Sequence, residues 1–121
     1  VHPLPGQVPA SRAVLAANLE TAVNGMWDAA VRPGDRVVVI GGGTVGCLVA
    51  WLAGHVPGCE VCLVDVNTSR RRVAEALGVG FAEPSAAPAD ADVVVHASGD
   101  PAALALGLDI AGFEATVVEM S

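Results

Sequence analysis

Two constellations in this chain have residue types and spacings that can do chemistry. One is Cys59-x-x-Cys62 within "GCEVCLVD", the spacing of redox thiols and of metal-binding pairs. The other is "VVVIGGGTVG", in which Gly41, Gly43 and Gly46 form a G-x-G-x-x-G pattern and Asp65 follows 19 residues after Gly46. The first would hold a metal or a disulfide. The second would cradle phosphates: Gly41 permits a tight turn, Gly43 lets a pyrophosphate approach bare backbone, and Gly46 allows a helix to pack close to a sheet. Amides near Gly43, Thr44 and Val45 would then face the phosphates at the positive end of a helix.

Which constellation is real depends on the elements beneath it. "RVVVI" (residues 36–40) is a β-branched run ending in glycines, hence a buried strand, and "TVGCLVAWLAG" (44–54) is a helix apolar on nearly every side. "EVCLVDV" (60–66) is a second strand, "NTSRRRVAEALG" (67–78) a polar helix, and "VGFAEP" (79–84) a short third strand. After the "APADA" loop come "DVVVHAS" (92–98), a helix over "DPAALALGLDIAG" (100–112), and a fifth strand, "ATVVEM" (115–120). Ahead of all this, Pro-rich residues 1–10 lead into "SRAVLAANLETAVNGMWDAA" (11–30). That stretch reads as helix with Ser11 as N-cap, divisible at Asn18 or Gly25, with Met26 and Trp27 packing it onto the sheet. Continuously apolar strands alternating with helices predict a doubly wound α/β fold of the Rossmann type, a parallel sheet of about five strands covered on both faces. The two ends look cut, so the fold is expected to be C-terminally incomplete.

This frame disposes of the thiols. On a strand, Cys59 and Cys62 fall on opposite faces with Cα atoms about 10 Å apart, too far for a disulfide or a shared metal. Cys62, and Cys47 on the buried helix, are expected in the core. The same frame supports the glycines, because a strand precedes them, a helix follows, and Asp65 closes the next strand, where its carboxylate meets ribose hydroxyls. The bland alternative is a Gly-rich turn with no ligand. A carboxylate there favours NAD over NADP, whose 2′-phosphate it would repel. Arg70, Arg71 and Arg72 follow closely: Arg71 and Arg72 read as solvated surface, while Arg70 is placed either for the adenosine or for solvent. His96 reads as structural, His55 as a capping or surface residue, and His2 lies in the lead-in, so the histidines lack metal-ligand spacing.

The totals narrow the class. With 53% hydrophobic and 16% charged residues the chain can bury one core. Its net charge of −7, with six arginines and no lysine, argues against nucleic acid or anionic membrane as partner. No apolar run is long enough to cross a bilayer, and three cysteines without a secretory signal point to a reducing cytoplasm.

With "NLETAVNGMWDAAVRPGDRVVVIGGGTVG", Asp65 and "DVVVHASGDPAALALGLDIAG" in view, the chain resembles the cofactor domain of the medium-chain dehydrogenase/reductase family, zinc-type alcohol and polyol dehydrogenases in particular. The likeness runs from about Ala13 to Val118. It implies a hydride-transferring enzyme with an alcohol or carbonyl substrate, and a separate GroES-like catalytic domain as partner. In that enzyme residues 1–30 are lead-in and linking helices, and 31–121 form the NAD(P)-binding domain. It places Thr21 against the nicotinamide and the loop of Ala97 and Ser98 beneath the adenosine, and it implies a homo-oligomeric parent. Zinc-using members carry a ligand four residues before the Thr21 position; here that residue is Ala17, with Glu20 nearly a helical turn away, so zinc in the parent stays open. The last strand ends in "VVEMS" where the family has a glycine, which would set Met120 against the ring. Rival readings are a non-catalytic nucleotide-sensing module and a methyltransferase. The second is disfavoured because Val45, not glycine, occupies the fifth place of the loop.

Overall fold

The computed structural model describes residues 3–120. Five strands, β1 (Arg36–Ile40), β2 (Glu60–Val64), β3 (Gly80–Ala82), β4 (Ala91–His96) and β5 (Ala111–Glu119), form one parallel sheet in the order β3-β2-β1-β4-β5. Helices α1 (Ala10–Ala13), α2 (Ala16–Ala29), α3 (Thr44–Gly54), α4 (Arg70–Leu77) and α5 (Pro101–Ile110) complete it. The expected doubly wound α/β architecture is what forms. The chain winds outward from β1 through β2 to β3, then returns to the other side of β1 as β4. That reversal opens a crevice between the C-terminal ends of β1 and β4, the place where sheets of this kind take ligands.

Each face of the sheet carries its own core. Val37, Val39, Val93 and Val95 pack with Ala22, Val49 and Ala53 of α2 and α3. Val38, Ile40, Val64 and Val94 pack on the other face with Ile110 of α5. The period-2 alternation of strand side chains sorts these residues, and each fully buried Val contributes about 2 kcal/mol. The same alternation parts the two cysteines, since Cys59 packs with the first cluster and Cys62 with the second. All three thiols are free and half-buried.

Several local expectations are corrected. α1 begins at Ala10 with Pro9 in the N-cap position and no side-chain cap, so Ser11 lies inside the helix. The lead-in divides at Val14 and Leu15, and neither Asn18 nor Gly25 breaks α2. Gly25 is instead buried on the face that α2 turns inward, together with Ala22 and Ala29. Trp27 sits on the opposite side of the turn and is 74% exposed, so only Met26 packs inward. α3 is not buried all round, because Trp51 and Gly54 face outward. α5 stops at Ile110 and β5 starts at once. Ala111 pairs with Ala91, and Gly112 lies so close to the Asp90–Ala91 backbone that a Cβ would approach it to 3.1 Å. A bulge, with Glu114 at φ 56°, then resets the register before Thr116. A backbone contact drew those residues into the sheet, which hydrophobic periodicity does not report.

Candidate dinucleotide site

The glycine bend occupies the crevice between β1 and β4. Gly41, at φ +108°, passes within van der Waals range of the Ala97–Ser98 peptide; a Cβ there would lie 2.8 Å from its atoms. Gly46 is tighter still, its Cβ position falling 1.8 Å from the Gly41 carbonyl oxygen. Both glycines are required by packing alone. Gly43 differs: it is exposed, and a Cβ on it would meet nothing within 4 Å. The open space at Gly43 faces the start of α3, where Thr44 and Val45 carry first-turn amides that an α-helix leaves without intrahelical acceptors.

Asp65 follows directly on β2, and its carboxylate closes the bend. Its Oδ2 accepts the Gly42 N–H at 2.6 Å and its Oδ1 accepts the Asn67 N–H at 2.7 Å. A carboxylate offers about four acceptor sites, so two backbone amides fix its position and leave lone pairs for hydroxyl donors. A hollow of about 430 Å³ lies beside it, lined by Ile40, Val64, Asp65, Ser98, Asp100 and Leu106 among others. A second, of about 260 Å³, lies on the other side of the bend against Leu15, Gly42, Gly43, Thr44, Cys47 and Arg70. Asp65 lines the first and Gly42 the second, so the bond between them joins the two. A further hollow of about 240 Å³ sits at the opposite end of the strands around Arg36, Glu60 and Pro88. It has neither glycine bend nor helix start and takes no part in this site.

Of the residues singled out from sequence, Gly41, Gly43, Thr44, Val45, Gly46, Asp65, Arg70, Ala97 and Ser98 gather around this crevice. Arg70 lays its Cβ and Cγ beside Gly42, while Arg71 is stacked over the Phe81 ring at 4.8 Å from its centroid. Thr21 stands apart. It is exposed on α2, its hydroxyl donates to the Ala17 carbonyl at 3.2 Å, and it lines neither hollow. Met120 lies over Gly25 of α2, its sulfur 2.6 Å from where a Cβ would stand. His55 caps the end of α3 and its ring packs on Trp51. His2 falls outside the described residues.

Sequence reasoning missed Leu15 and Cys47 at the bend, and Gly42 as the donor to Asp65. Cys47 had a usable signal, since four residues after Gly43 places it one helical turn into the mouth of the bend. Its thiol donates to the Gly42 carbonyl at 3.3 Å. Burial pushes that thiol up from its ordinary value of 9.0; Arg70 partly offsets this and Asp65 adds to it. Cys47 is therefore a neutral donor, not an activated nucleophile. Among the described residues no group of three or more His, Cys, Asp or Glu side chains is placed to hold a metal. No helix among them is long and apolar enough to cross a membrane.

No protein-family model matches the chain. It is 34% identical over 129 aligned positions to 2-dehydro-3-deoxy-L-galactonate 5-dehydrogenase of Pseudoalteromonas atlantica, with 98% of this chain and 38% of that protein aligned. Its fold superposes on alcohol dehydrogenase TADH from Thermus sp. ATN1 with a TM-score of 0.87 at 27% identity, over 98% of this chain and 38% of that one. A Sinorhizobium meliloti protein assigned to the zinc-binding dehydrogenases, solved with NADP bound, shares the fold at a TM-score of 0.89 and 23% identity, over 98% and 39%. The chain thus spans under two-fifths of the length of the relatives it matches. By that likeness and by its five-stranded parallel sheet, the chain is similar to one portion of the alcohol and polyol dehydrogenases of the medium-chain dehydrogenase/reductase family, a match consistent with a cofactor-domain segment.

Proposed function

We propose that this chain is the nicotinamide-dinucleotide-binding part of an oxidoreductase that moves a hydride between an alcohol-type carbon and the cofactor. The observation that carries this reading is the 2.6 Å bond from the Gly42 amide to Asp65, which holds a carboxylate at the rim of a helix start whose Gly43 is open to solvent. The residues fit the group. Thr44 and Val45 would receive the pyrophosphate through backbone amides, Gly43 would leave it room, and Asp65 would accept the adenosine ribose hydroxyls. Arg70 would lie along the adenosine, with the Ala97–Ser98 loop beneath it. The bound nicotinamide would supply the hydride chemistry; this chain's part is to bind and orient it.

NAD is the favoured form, because a carboxylate at the ribose repels a 2′-phosphate. Within the longer parent, residues 1–30 would link to a GroES-like domain that supplies most of the substrate pocket, and residues 31–121 would form the cofactor domain. Ala17 has no metal-binding atom, so any catalytic zinc would be held by residues elsewhere. By the resemblance, Thr21 would lie against the nicotinamide. Calorimetry with NAD⁺ and NADP⁺ tests the reading. NAD⁺ should bind about tenfold more tightly, a difference of about 1.4 kcal/mol. Failure to bind either nucleotide sinks the proposal, and tighter NADP⁺ binding reverses the cofactor preference. Incubation with NAD⁺ and a panel of alcohols should give no turnover.

A further inference from the structure

At the ends of β4 and β5 the structure holds a chain of polar groups that the cofactor motif does not require. His96 pairs in register with Glu119 and is only 2% exposed. Its Nδ1 lies 2.6 Å from Glu119 Oε2, and its Nε2 lies 3.1 Å from Ser98 Oγ. Ser98 Oγ also accepts the Asp100 N–H at 3.3 Å, and Asp100 caps α5 by accepting the Ala102 N–H at 2.9 Å. Ser98 lines the larger hollow together with Asp65.

These contacts determine where the Ser98 hydroxyl hydrogen goes. A carboxylate at 2.6 Å makes Nδ1 a hydrogen-bond donor, so in the neutral ring Nε2 is an acceptor. Ser98 must then donate its hydrogen to Nε2 while its oxygen accepts from Asp100. Add one proton to the ring and Nε2 becomes a donor. Ser98 Oγ now accepts from both Nε2 and Asp100, and its own hydrogen is released to turn into the hollow. We infer that His96 is a positioning residue: braced by Glu119, it sets which way the Ser98 hydroxyl points, and it turns that hydroxyl toward a bound dinucleotide when the ring takes up a proton. This rests on the dinucleotide reading above. The same order of groups activates serine nucleophiles, but here the serine oxygen is already committed to the backbone N–H that opens α5.

Among the described residues, β5 contributes Glu119 as the charged group facing the ring, and β1 contributes only Ile40, its register neighbour on the other side. α5 packs on this face with Ala103, Leu106 and Ile110, which carry no charge. Asp100 sits in the loop with its carboxylate on Ala102, and Asp65 faces across the hollow with both oxygens held by amides.

The test is the pH profile of NAD⁺ binding by calorimetry on the full chain, with ¹⁵N NMR of the His96 ring in the free chain. Ring nitrogen shifts at high pH should show Nδ1 protonated; the opposite tautomer overturns the inference. Because protonation frees a donor beside the ligand, NAD⁺ should bind about fivefold more tightly at the acid end of the profile than at its alkaline end. That slope should flatten in His96→Gln, which can still bond Ser98 but cannot titrate, and in Ser98→Ala, a small change at a half-buried site. A slope that survives intact in Ser98→Ala overturns the inference while leaving NAD⁺ binding in place. Absence of NAD⁺ binding in the unaltered chain at every pH overturns both this inference and the dinucleotide reading.

Discussion

The two sides of the crevice are built by different means. On the β1–α3–β2 side the bend closes on backbone: Gly46 packs against nearby Gly41, and the Gly42 amide is held by the aspartate that ends the next strand. On the β4–β5 side the bonds linking His96, Ser98 and Asp100 are local, but the contacts that brace them are not. His96 reaches Glu119 across a strand pair, and Met120 lies over Gly25 of α2. The first side is a motif that any parallel α/β chain can carry. The second exists only because β5 pairs with β4 and α2 covers the sheet. Within the first side the glycines divide again, since Gly46 is demanded by the protein's own backbone, whereas a Cβ on Gly43 would meet only open space.

Substitutions can break or sharpen this comparison. The largest effect should come from Gly46→Ala, whose Cβ has no room beside the Gly41 oxygen. A loss of about 3 kcal/mol is expected in denaturant unfolding, and an unchanged midpoint would mean that the bend relaxes freely. Asp65→Ala should follow. It strands the Gly42 and Asn67 amides, costing about 2 kcal/mol of stability, and should weaken NAD⁺ binding by more than tenfold in the same calorimetric titration. Gly43→Ala should leave unfolding within about 0.5 kcal/mol of the parent yet reduce NAD⁺ affinity about tenfold; a fold defect there would erase the distinction between the two glycines. On the other side, Gly25→Ala should cost only about 1 kcal/mol, because the neighbour that must yield is the flexible end of Met120. Thermal melts would register it.

The smallest effect belongs to the half-buried thiols. Burial raises Cys47 and Cys62 above 9.0, so in alkali the folded chain keeps protons that the unfolded chain releases. Stability from this source is complete below 9.0 and is lost as pH rises through the higher folded values. A Cys47→Ser, Cys62→Ser double variant should show a shallower alkaline decline in melting temperature than the parent.

How far the sequence could be read tracks the same division. The strands β1, β2 and β4, their parallel pairing and the location of the bend were legible because β-branched runs, glycine spacing and a terminal acid are local signals. The start of β5 was not, since Ala111 and Gly112 join the sheet through contact with Asp90 and Ala91 and not through any periodicity of their own. Nor was the outward aim of Trp27, which hinges on which side of α2 the small residues Ala22, Gly25 and Ala29 turn toward the core. His96 could be read as structural, but its partners could not, because a strand does not announce which residue its neighbour will set beside it.

By itself, then, the amino-acid order determined a doubly wound sheet and one glycine bend, both products of backbone preference and hydrophobic period acting over a few residues. Tertiary structure alone decided that Asp65 is clamped by the Gly42 amide, that Met120 fills the notch at Gly25, and that His96 is braced by Glu119. Those contacts join segments that meet only after the sheet has assembled, when strand register, not sequence distance, chooses each side chain's neighbour.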